Sequence, residues 1–382
     1  MMNSIMIIPT DTIHILQTAI GFGALATIAS FIWAPLLIAF LYKHNIVRNP
    51  DYDASLAMGA RKSKAGVPIM GGLLVIITVA VITILFNWER SFTWVPVGVM
   101  ILSAILGGVD DWLNIFNEKK RRNRKLKQIF TLIKVHKNIW YRIWLIITLP
   151  WSIFKRTSLW LGSHPGKGLH VHERLLTECI AGGIAAWWIY AKLGKHWQNI
   201  AIPFDGTIDI SWLIIPFVIF FVVATANAVN MADGMDGLAG GALIITFSAL
   251  TILSWIEGYG EIAILNATTT GALLTYTYFN IKPARFQMGD VGSLGLGSLL
   301  AINTIVINHM LLLPLLGFIF YVELASVIIQ IFGRYILGRR IFAMAPLHHH
   351  FEMRGWSEEK TVMRFWIIHA MVVLLGLWIA LQ

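Results

Sequence analysis

Long apolar runs, separated by short polar segments, recur along the whole chain. Each run is about 17–22 residues long, the length that an α-helix needs to cross the hydrocarbon core of a bilayer. The pattern therefore predicts an all-α polytopic membrane protein with about ten transmembrane helices. We expect them near 16–41, 70–86, 92–109, 175–192, 211–229, 238–256, 261–279, 291–309, 311–332 and 362–381.

The composition supports this interpretation and excludes a soluble globular protein. Hydrophobic residues make up 57% of the 382 residues, charged residues only 13%, and the mean hydropathy is +0.69. A soluble domain could not bury so much apolar surface. We expect one integral membrane domain over residues 1–382, with its first span retained because no basic region precedes it. Cys179 is the single cysteine, which excludes an intramolecular disulfide and a multi-cysteine metal site.

Basic residues are concentrated in alternate loops, and this sets the predicted orientation. Of the 30 Lys and Arg residues, 26 fall in five segments. The positive-inside rule places such segments in the cytoplasm, so that both termini lie outside. The five segments are 42–69, 110–174, 227–237, 280–290 and 333–361.

Residues 112–166 are predicted to be a basic and aromatic insertion, in the cytoplasm or at the membrane interface. If its apolar part, 139–154, crossed the membrane, every later loop would change sides, including the basic segment 333–361. We therefore predict that 139–154 lies on the membrane surface. The basic run 118–128 is expected to bind anionic membrane lipids, and nucleic-acid binding is the weaker interpretation.

The unusual polar clusters all fall on the predicted cytoplasmic side. Because separate segments converge on one membrane face, we expect a single active site at the cytoplasmic face. The clusters are KSKAGVPIMGG (62–72), GGVDDW (107–112), NAVNMADGMDGLAGG (227–241), FNIKPARFQMGDVGS (279–293) and APLHHHFEMRGW (345–356).

Two of the clusters place amides and carboxylates at membrane depth, where polar groups are costly and usually mark function. Asp110 and Asp111 lie near a helix end, where negative charge opposes the helix dipole and a cation partner is favourable. Four residues of the 227–241 cluster recur every three positions and would share one face if the helix continued. They are Asn227, Asn230, Asp233 and Asp236.

The remaining clusters indicate phosphoryl chemistry. Asp290 precedes a helix that begins among glycines, and Mg²⁺ prefers carboxylate, water and substrate phosphate as ligands, so we predict Mg²⁺ at Asp290. His348, His349 and His350 cannot all face one point, and phosphate contact or acid–base catalysis is favoured over zinc. The chain has no Walker A sequence. The residues indicate a metal-dependent transfer between a charged soluble compound and a membrane lipid phosphate.

The motifs VDD (109–111), NAVNMADGMDGLA (227–239) and MGDVGS (288–293) closely resemble those of the polyprenyl-phosphate N-acetylhexosamine-1-phosphate transferase superfamily. APLHHHFEMRGW resembles the branch that uses a muramoyl-pentapeptide donor. The resemblance implies ten spans, a homodimer and a bacterial cytoplasmic (inner) membrane location. It also implies transfer of phospho-MurNAc-pentapeptide from UDP-MurNAc-pentapeptide to undecaprenyl phosphate, which yields lipid I and UMP in peptidoglycan synthesis.

The resemblance also implies roles for individual residues. Asp110 and Asp111 match the aspartate pair, Asp290 matches the Mg²⁺-binding aspartate, and the three adjacent histidines match a catalytic motif. Lys167 lies in a KGL that matches a family motif, and Asn227 is expected beside the substrate. Other positions match the nucleotide site: Lys64, Asn230, Asp233, Asp236 and Asn280.

Four departures from the family pattern concern the donor pocket and the loop before it. Ile69 stands where the family usually has Thr, and Gln287 stands where a Phe stacks on uracil. Either Phe286 takes that role or uracil is held differently. Arg174 replaces a lysine, and about 45 extra residues separate Asp111 from Lys167.

Alternatives remain open from the sequence. One is a sister enzyme that uses UDP-N-acetylglucosamine, which the triple histidine argues against. A transporter would place polar residues at mid-span, and an inactive scaffold would not need every acidic motif residue. Within the leading interpretation, the lipid phosphate attacks directly, with an aspartate as base, or an aspartate first forms a phospho-enzyme.

Overall fold

The computed structural model describes residues 10–47, 66–89, 92–116, 126–150, 152–153 and 171–382. Helices dominate this part of the chain, and one short sheet interrupts them. In chain order the helices and strands are α1 (Thr10–Lys43), α2 (Leu73–Phe86), α3 (Trp94–Phe116), α4 (Leu126–Val135), α5 (Ile139–Ile147), α6 (Val171–Trp188), β1 (Asn199–Ile202), β2 (Gly206–Asp209), α7 (Ile214–Ala232), α8 (Leu238–Ile256), α9 (Gly260–Asn280), α10 (Gly289–Val306), α11 (Leu313–Leu316), α12 (Phe318–Tyr335), α13 (Leu347–Met353) and α14 (Glu358–Ala380).

Seven helices of the described residues are long and apolar enough to cross a membrane, and they match seven of the ten predicted spans. They are α1, α3, α7, α8, α10, α12 and α14. The other three predicted spans correspond to α2, α6 and α9. Helix α2 is apolar but has 14 residues, whereas α6 and α9 have 18 and 21 residues and carry more polar side chains. The count of ten and the orientation stay predictions.

Helix α10 forms the centre of the bundle, because every residue that follows Asp290 in it is buried. Small residues let its neighbours come close. A Cβ at Gly107 of α3 would lie 2.1 Å from the carbonyl oxygen of Asp290, and a Cβ at Gly297 would lie 2.6 Å from the Cα of Ala226 in α7. Only glycine fits such approaches. The start of α10 is therefore fixed between α3 and α7.

The two-stranded sheet corrects the prediction of an all-α chain. Strands β1 and β2 pair antiparallel, with Asn199 opposite Asp209 and Ile202 opposite Gly206. Gly206 has a φ of +83°, which the tight turn requires and glycine allows. The Asp205-Gly206 pair at this turn is typical of a hairpin. The sheet lies at the opposite end of α10 from Asp290, because the backbone N–H of Ala201 donates to Asn308, two residues beyond the end of that helix.

Helix α5 covers the apolar part of the predicted insertion, but it has only nine residues. Such a helix is about 13 Å long, whereas the hydrocarbon core is about 30 Å thick. It is therefore too short to cross a bilayer by itself. The position of 139–154 on the membrane surface stays a prediction, and parts of segment 112–166 lie outside the described residues.

Candidate active site

Asp290 lies in the first turn of α10, where the helix dipole favours a negative charge. Its Oδ1 accepts a hydrogen bond of 2.5 Å from Asn230 Nδ2, and its Oδ2 accepts one of 3.1 Å from Arg174 Nη1. Asn230 also donates to Ser293 Oγ at 2.8 Å. Helices α6, α7 and α10 therefore meet at this carboxylate.

Arg174 links three carboxylates with one guanidinium. Its Nη1 lies 3.1 Å from Asp290 and 3.8 Å from Asp110, and its Nε lies 3.2 Å from Glu178 Oε1. A lysine has a single charged nitrogen, whereas the planar guanidinium presents five donors in fixed directions. Arg174 Nη2 is buried and has no hydrogen-bond partner. This donor is therefore available to an acceptor such as a phosphate oxygen.

Asp110 and Asp111 are both buried near the end of α3, but they face different groups. Asp110 faces the guanidinium of Arg174. Asp111 Oδ2 accepts a hydrogen bond of 3.1 Å from the backbone N–H of Val291. The two carboxylates therefore differ in role: Asp110 faces the charged cluster, and Asp111 holds the first turn of α10.

Three of the four polar residues predicted in the 227–241 segment are brought to this cluster, although α7 ends at Ala232. Asn227 donates to Glu178, and Asp233 Oδ2 accepts from the backbone N–H of Gly289 at 3.1 Å. Asp236 lies beyond the helix, and its backbone N–H donates to Glu358 Oε1 at 3.0 Å. A continuous helical face therefore carries Asn227 and Asn230 alone, and Asp233 and Asp236 follow in a turn.

Two of the three adjacent histidines form a buried pair, and the third lies apart. Nε2 of His348 lies 3.2 Å from Nε2 of His349, and Nδ1 of His349 lies 3.0 Å from Glu352. His350 Nδ1 accepts from the backbone N–H of Ala343 at 3.1 Å. The expectation that the three rings cannot face one point agrees with this arrangement.

Glu323 of α12 holds His348 in place. This carboxylate is completely buried, accepts a hydrogen bond of 3.1 Å from the backbone N–H of His348, and lies 3.2 Å from His348 Nδ1. A buried charge is costly unless it is paired. Glu323 therefore holds the backbone at His348 through a hydrogen bond and places its charge close to the ring, whose Nδ1 makes no hydrogen bond.

Gly234 connects the histidine pair to the carboxylate cluster. A Cβ at this position would lie 2.3 Å from His348 Nε2 and 2.6 Å from its Cε1. The imidazole therefore packs against the backbone of the turn that carries Asp233 and Asp236.

We expect Gly234→Ala to lower kcat by about 10- to 100-fold, because the new methyl group must displace the His348 ring and misplacement of about 1 Å can have that effect. The measurement is the turnover rate of the purified variant, alongside a thermal unfolding curve. Gly183→Ala is the matched control, since a Cβ at Gly183 meets no atom within 4 Å. Equal kcat in the two variants would show that the ring position is not critical.

The nucleotide-site candidates on 279–293 are placed in two different ways. Asn280 is buried, accepts from Gly237 N–H at 2.9 Å and donates to the carbonyl of Phe286 at 2.8 Å. The Phe286 ring is fully buried and stacks on Tyr276 with ring centroids 5.3 Å apart. The Phe286 ring is therefore not exposed for stacking on a ligand.

Gln287 anchors the backbone of the same segment. Its N–H donates to the carbonyl of Pro68 at 2.8 Å, and its carbonyl accepts from Gly71 N–H at 2.7 Å. These bonds join the segment before α2 to the segment before α10. Lys64 and Lys167, the two lysines predicted to bind substrate, lie outside the described residues.

A magnesium ion fits the chemistry of this cluster. Among the described residues, no three His, Cys, Asp or Glu side chains already converge as ligands of one ion. Asp290 and Asp110 nevertheless share one guanidinium with Glu178, and the buried carboxylate of Asp111 lies beside them. This excess of negative charge favours a cation. Mg²⁺ typically uses one or two carboxylates and completes its shell with water and substrate phosphates.

Three acidic residues of the site were not predicted. Glu178 and Glu323 lie inside the apolar runs LLTECIAGG and FIFYVELASVII, and both are buried. A carboxylate within an apolar run is itself a functional signal, because its burial is costly. Glu358 accepts from Asp236 N–H and lies 3.4 Å from Lys282. The hydrogen bond from Lys282 to the neighbouring Glu359 raises the pKa of Lys282.

Comparison with known proteins identifies relatives over most of the chain. Residues 166–308 match glycosyl transferase family 4. The phospho-N-acetylmuramoyl-pentapeptide-transferase of Levilactobacillus brevis is 34% identical over 329 residues, which cover 84% of this chain and 86% of that protein. The proteins of the same name from Rickettsia massiliae and Desulfotalea psychrophila are 30% and 33% identical. They align with 95% and 82% of this chain, and with 93% and 79% of their own lengths.

An apolar helical bundle with a carboxylate cluster where several helix ends meet, together with these relatives, defines a membrane-embedded phosphoglycosyl transferase. The chain belongs to the phospho-N-acetylmuramoyl-pentapeptide-transferase family. The family resemblance that the sequence motifs predicted is thereby confirmed.

Proposed function

We propose that this chain transfers phospho-MurNAc-pentapeptide from UDP-MurNAc-pentapeptide to undecaprenyl phosphate, which forms lipid I and UMP with Mg²⁺ as cofactor. This reaction would be the first membrane step of peptidoglycan synthesis. The observation that carries the proposal is the convergence of Asp110, Arg174, Asn230 and Asp290 at helix ends of an apolar bundle. At such a place a soluble, charged donor and the head of a membrane lipid can reach the same groups.

The proposed chemistry is a direct phosphoryl-type transfer. An oxygen of the lipid phosphate attacks the sugar-bearing phosphorus of the donor, the bond from that phosphorus to the UMP oxygen breaks, and UMP leaves. Asp110 accepts a proton that the lipid phosphate carries. Arg174 donates to the pyrophosphate through its unpartnered Nη2. Mg²⁺ at Asp290 would supply charge neutralisation and polarisation of the reacting phosphate.

The histidine pair lies on the other side of the turn at Gly234. In the proposal, His349 contacts a donor phosphate or protonates the departing one, and Glu323 keeps His348 in place beside it. A rival mechanism begins with attack by an aspartate and gives a phospho-enzyme. It predicts release of UMP before any lipid acceptor is added, which makes the two mechanisms distinguishable.

The proposed setting is the bacterial cytoplasmic membrane, with ten spans, both termini outside, the active site at the cytoplasmic face, and a homodimer as the assembly. The distribution of Lys and Arg supports the orientation, since 26 of 30 lie in the loops assigned to the cytoplasm. The names of the relatives support a role in cell-wall synthesis. A carrier is disfavoured because the relatives are named as transferases.

A second candidate is a sister enzyme that uses UDP-N-acetylglucosamine as donor. The burial of Phe286, together with Gln287 at the expected stacking position, favours keeping this candidate. It shares the cation, the lipid acceptor and the carboxylate cluster with the main proposal. The two candidate activities differ only in the sugar nucleotide that serves as donor.

UMP release by the purified protein tests both candidates. We expect release with UDP-MurNAc-pentapeptide, undecaprenyl phosphate and Mg²⁺, and its loss when EDTA removes the metal. Release with UDP-N-acetylglucosamine but not with UDP-MurNAc-pentapeptide would show that the protein has the sister activity instead. Release without chelator sensitivity would contradict the metal assignment, and release without undecaprenyl phosphate would favour the phospho-enzyme.

A further inference from the structure

The two short helices α4 and α5 form a hairpin of residues 126–147 with a defined turn. Asn138 Oδ1 accepts from the backbone N–H of Trp140 at 2.9 Å and thereby caps α5. The His136 ring lies 4.5 Å from Tyr141, which stacks on Trp144 at 5.8 Å between centroids. The sequence therefore builds an ordered unit here rather than an irregular loop.

One stripe of this hairpin is apolar and exposed. Trp140, Ile143, Trp144 and Ile147 lie at the i, i+3, i+4 and i+7 positions of α5, the spacing of a helical face that packs against a partner. Their exposed fractions are 76%, 40%, 55% and 70%. Further apolar side chains of the hairpin are also exposed: Phe130, Val135, Ile139 and Ile146. None of the described residues covers this surface, and an exposed apolar patch of this kind marks a contact with a partner or a membrane.

The charge of the surrounding sequence identifies the kind of partner. Residues 119–172 contain 13 Lys and Arg and no Asp or Glu. Lys134, Lys137 and Arg142 belong to the hairpin itself. An apolar, tryptophan-rich stripe within a purely cationic segment complements a surface that has an apolar interior and an anionic outer layer. The interface of a bilayer with anionic lipids has both properties.

We propose that the α4–α5 hairpin lies in the plane of the membrane interface and binds anionic phospholipid such as phosphatidylglycerol. Its apolar stripe enters the acyl boundary, and its basic side chains contact the headgroup phosphates. The hairpin lies in the chain between Asp111 and Arg174, two residues of the candidate active site. The inference does not depend on the identity of the donor sugar.

Site-directed fluorescence in nanodiscs tests this inference with the full chain. Cys179→Ala removes the only cysteine, and Ile147→Cys then places a bimane label on the stripe. Asp205→Cys, in the exposed turn between β1 and β2, is the matched water-exposed control. In discs that contain phosphatidylglycerol, we expect a nitroxide lipid to quench the label at 147 several-fold more than the label at 205. Phosphatidylcholine alone, or high salt, should reduce that difference.

A second pair of variants separates membrane contact from simple proximity. Trp140→Glu with Trp144→Glu should abolish the extra quenching at 147, because two carboxylates on the stripe oppose both the acyl boundary and the anionic headgroups. Thr131→Glu, on the exposed side of α4, should leave most of the extra quenching at position 147. If the label at 147 matches the label at 205 in every lipid, the stripe binds a protein or nothing, and the proposal is wrong. Quenching that does not change with lipid charge or salt would contradict the proposed contact between the basic side chains and the anionic headgroups.

Discussion

Asp290→Asn is expected to lower kcat for UMP release by about 10³-fold, which corresponds to roughly 4 kcal/mol of transition-state stabilisation. The carboxylate accepts from Asn230 and from Arg174 with different oxygens. The amide of asparagine would point its own N–H donors at one of these two donating side chains, which breaks that hydrogen bond. It would also remove the negative charge that a Mg²⁺ ion needs. The measurement is kcat as a function of Mg²⁺ concentration, where we also expect the half-saturating concentration to rise.

Two controls decide whether that loss is chemical. Asp205→Asn makes the same change on the β1–β2 turn, away from the cluster, and should leave kcat within a factor of two or so. Thermal unfolding of Asp290→Asn reports whether the bundle remains folded. Unchanged kcat with unchanged Mg²⁺ dependence would remove Asp290 from the metal assignment.

Glu323→Gln is expected to lower kcat by about 10²-fold with little change in KM for the donor. Glutamine can still accept from the backbone N–H of His348, which keeps that hydrogen bond. It removes the carboxylate charge that lies 3.2 Å from His348 Nδ1. The steady-state rates at several donor concentrations give the two constants separately.

Ser326→Ala is the matched control for this prediction, because its hydroxyl is buried on the same helix and donates to the carbonyl of Glu323 without touching a histidine. Glu323→Ala tests the structural part, since it leaves the backbone N–H of His348 unpaired and should cost about 1–3 kcal/mol of folding stability. A fall in stability without a fall in kcat of Glu323→Gln would reduce Glu323 to a structural residue.

Much of the fold could be predicted because transmembrane helices depend on a strong, local signal. Seven apolar runs appear as helices of membrane length. The signal was less useful where polar side chains are buried inside the protein, as in α9, which packs Thr268, Thr269 and Thr275 away from solvent. The β1–β2 hairpin was missed because two strands of four residues carry little periodicity.

The site could be predicted as a group of residues but not as a set of contacts. Asp110, Asp111, Asn230 and Asp290 meet, as the predicted orientation of their loops led us to expect. The sequence could not show that one arginine would join carboxylates from three helices, because side-chain pairing depends on tertiary distances. It also could not show that Phe286 would be buried rather than face the donor.

The glycine contacts around α10 have a consequence for how substrates are accommodated. Gly107 and Gly297 leave no space between α10 and its neighbours, so Asp290 can move only if the whole central helix moves. Any adjustment to a bulky donor then falls to the peripheral parts, the arginine at the start of α6 and the short helix α13. Donor selectivity should therefore evolve, and be engineered, at those outer positions, while the inner carboxylate serves every donor from one fixed place.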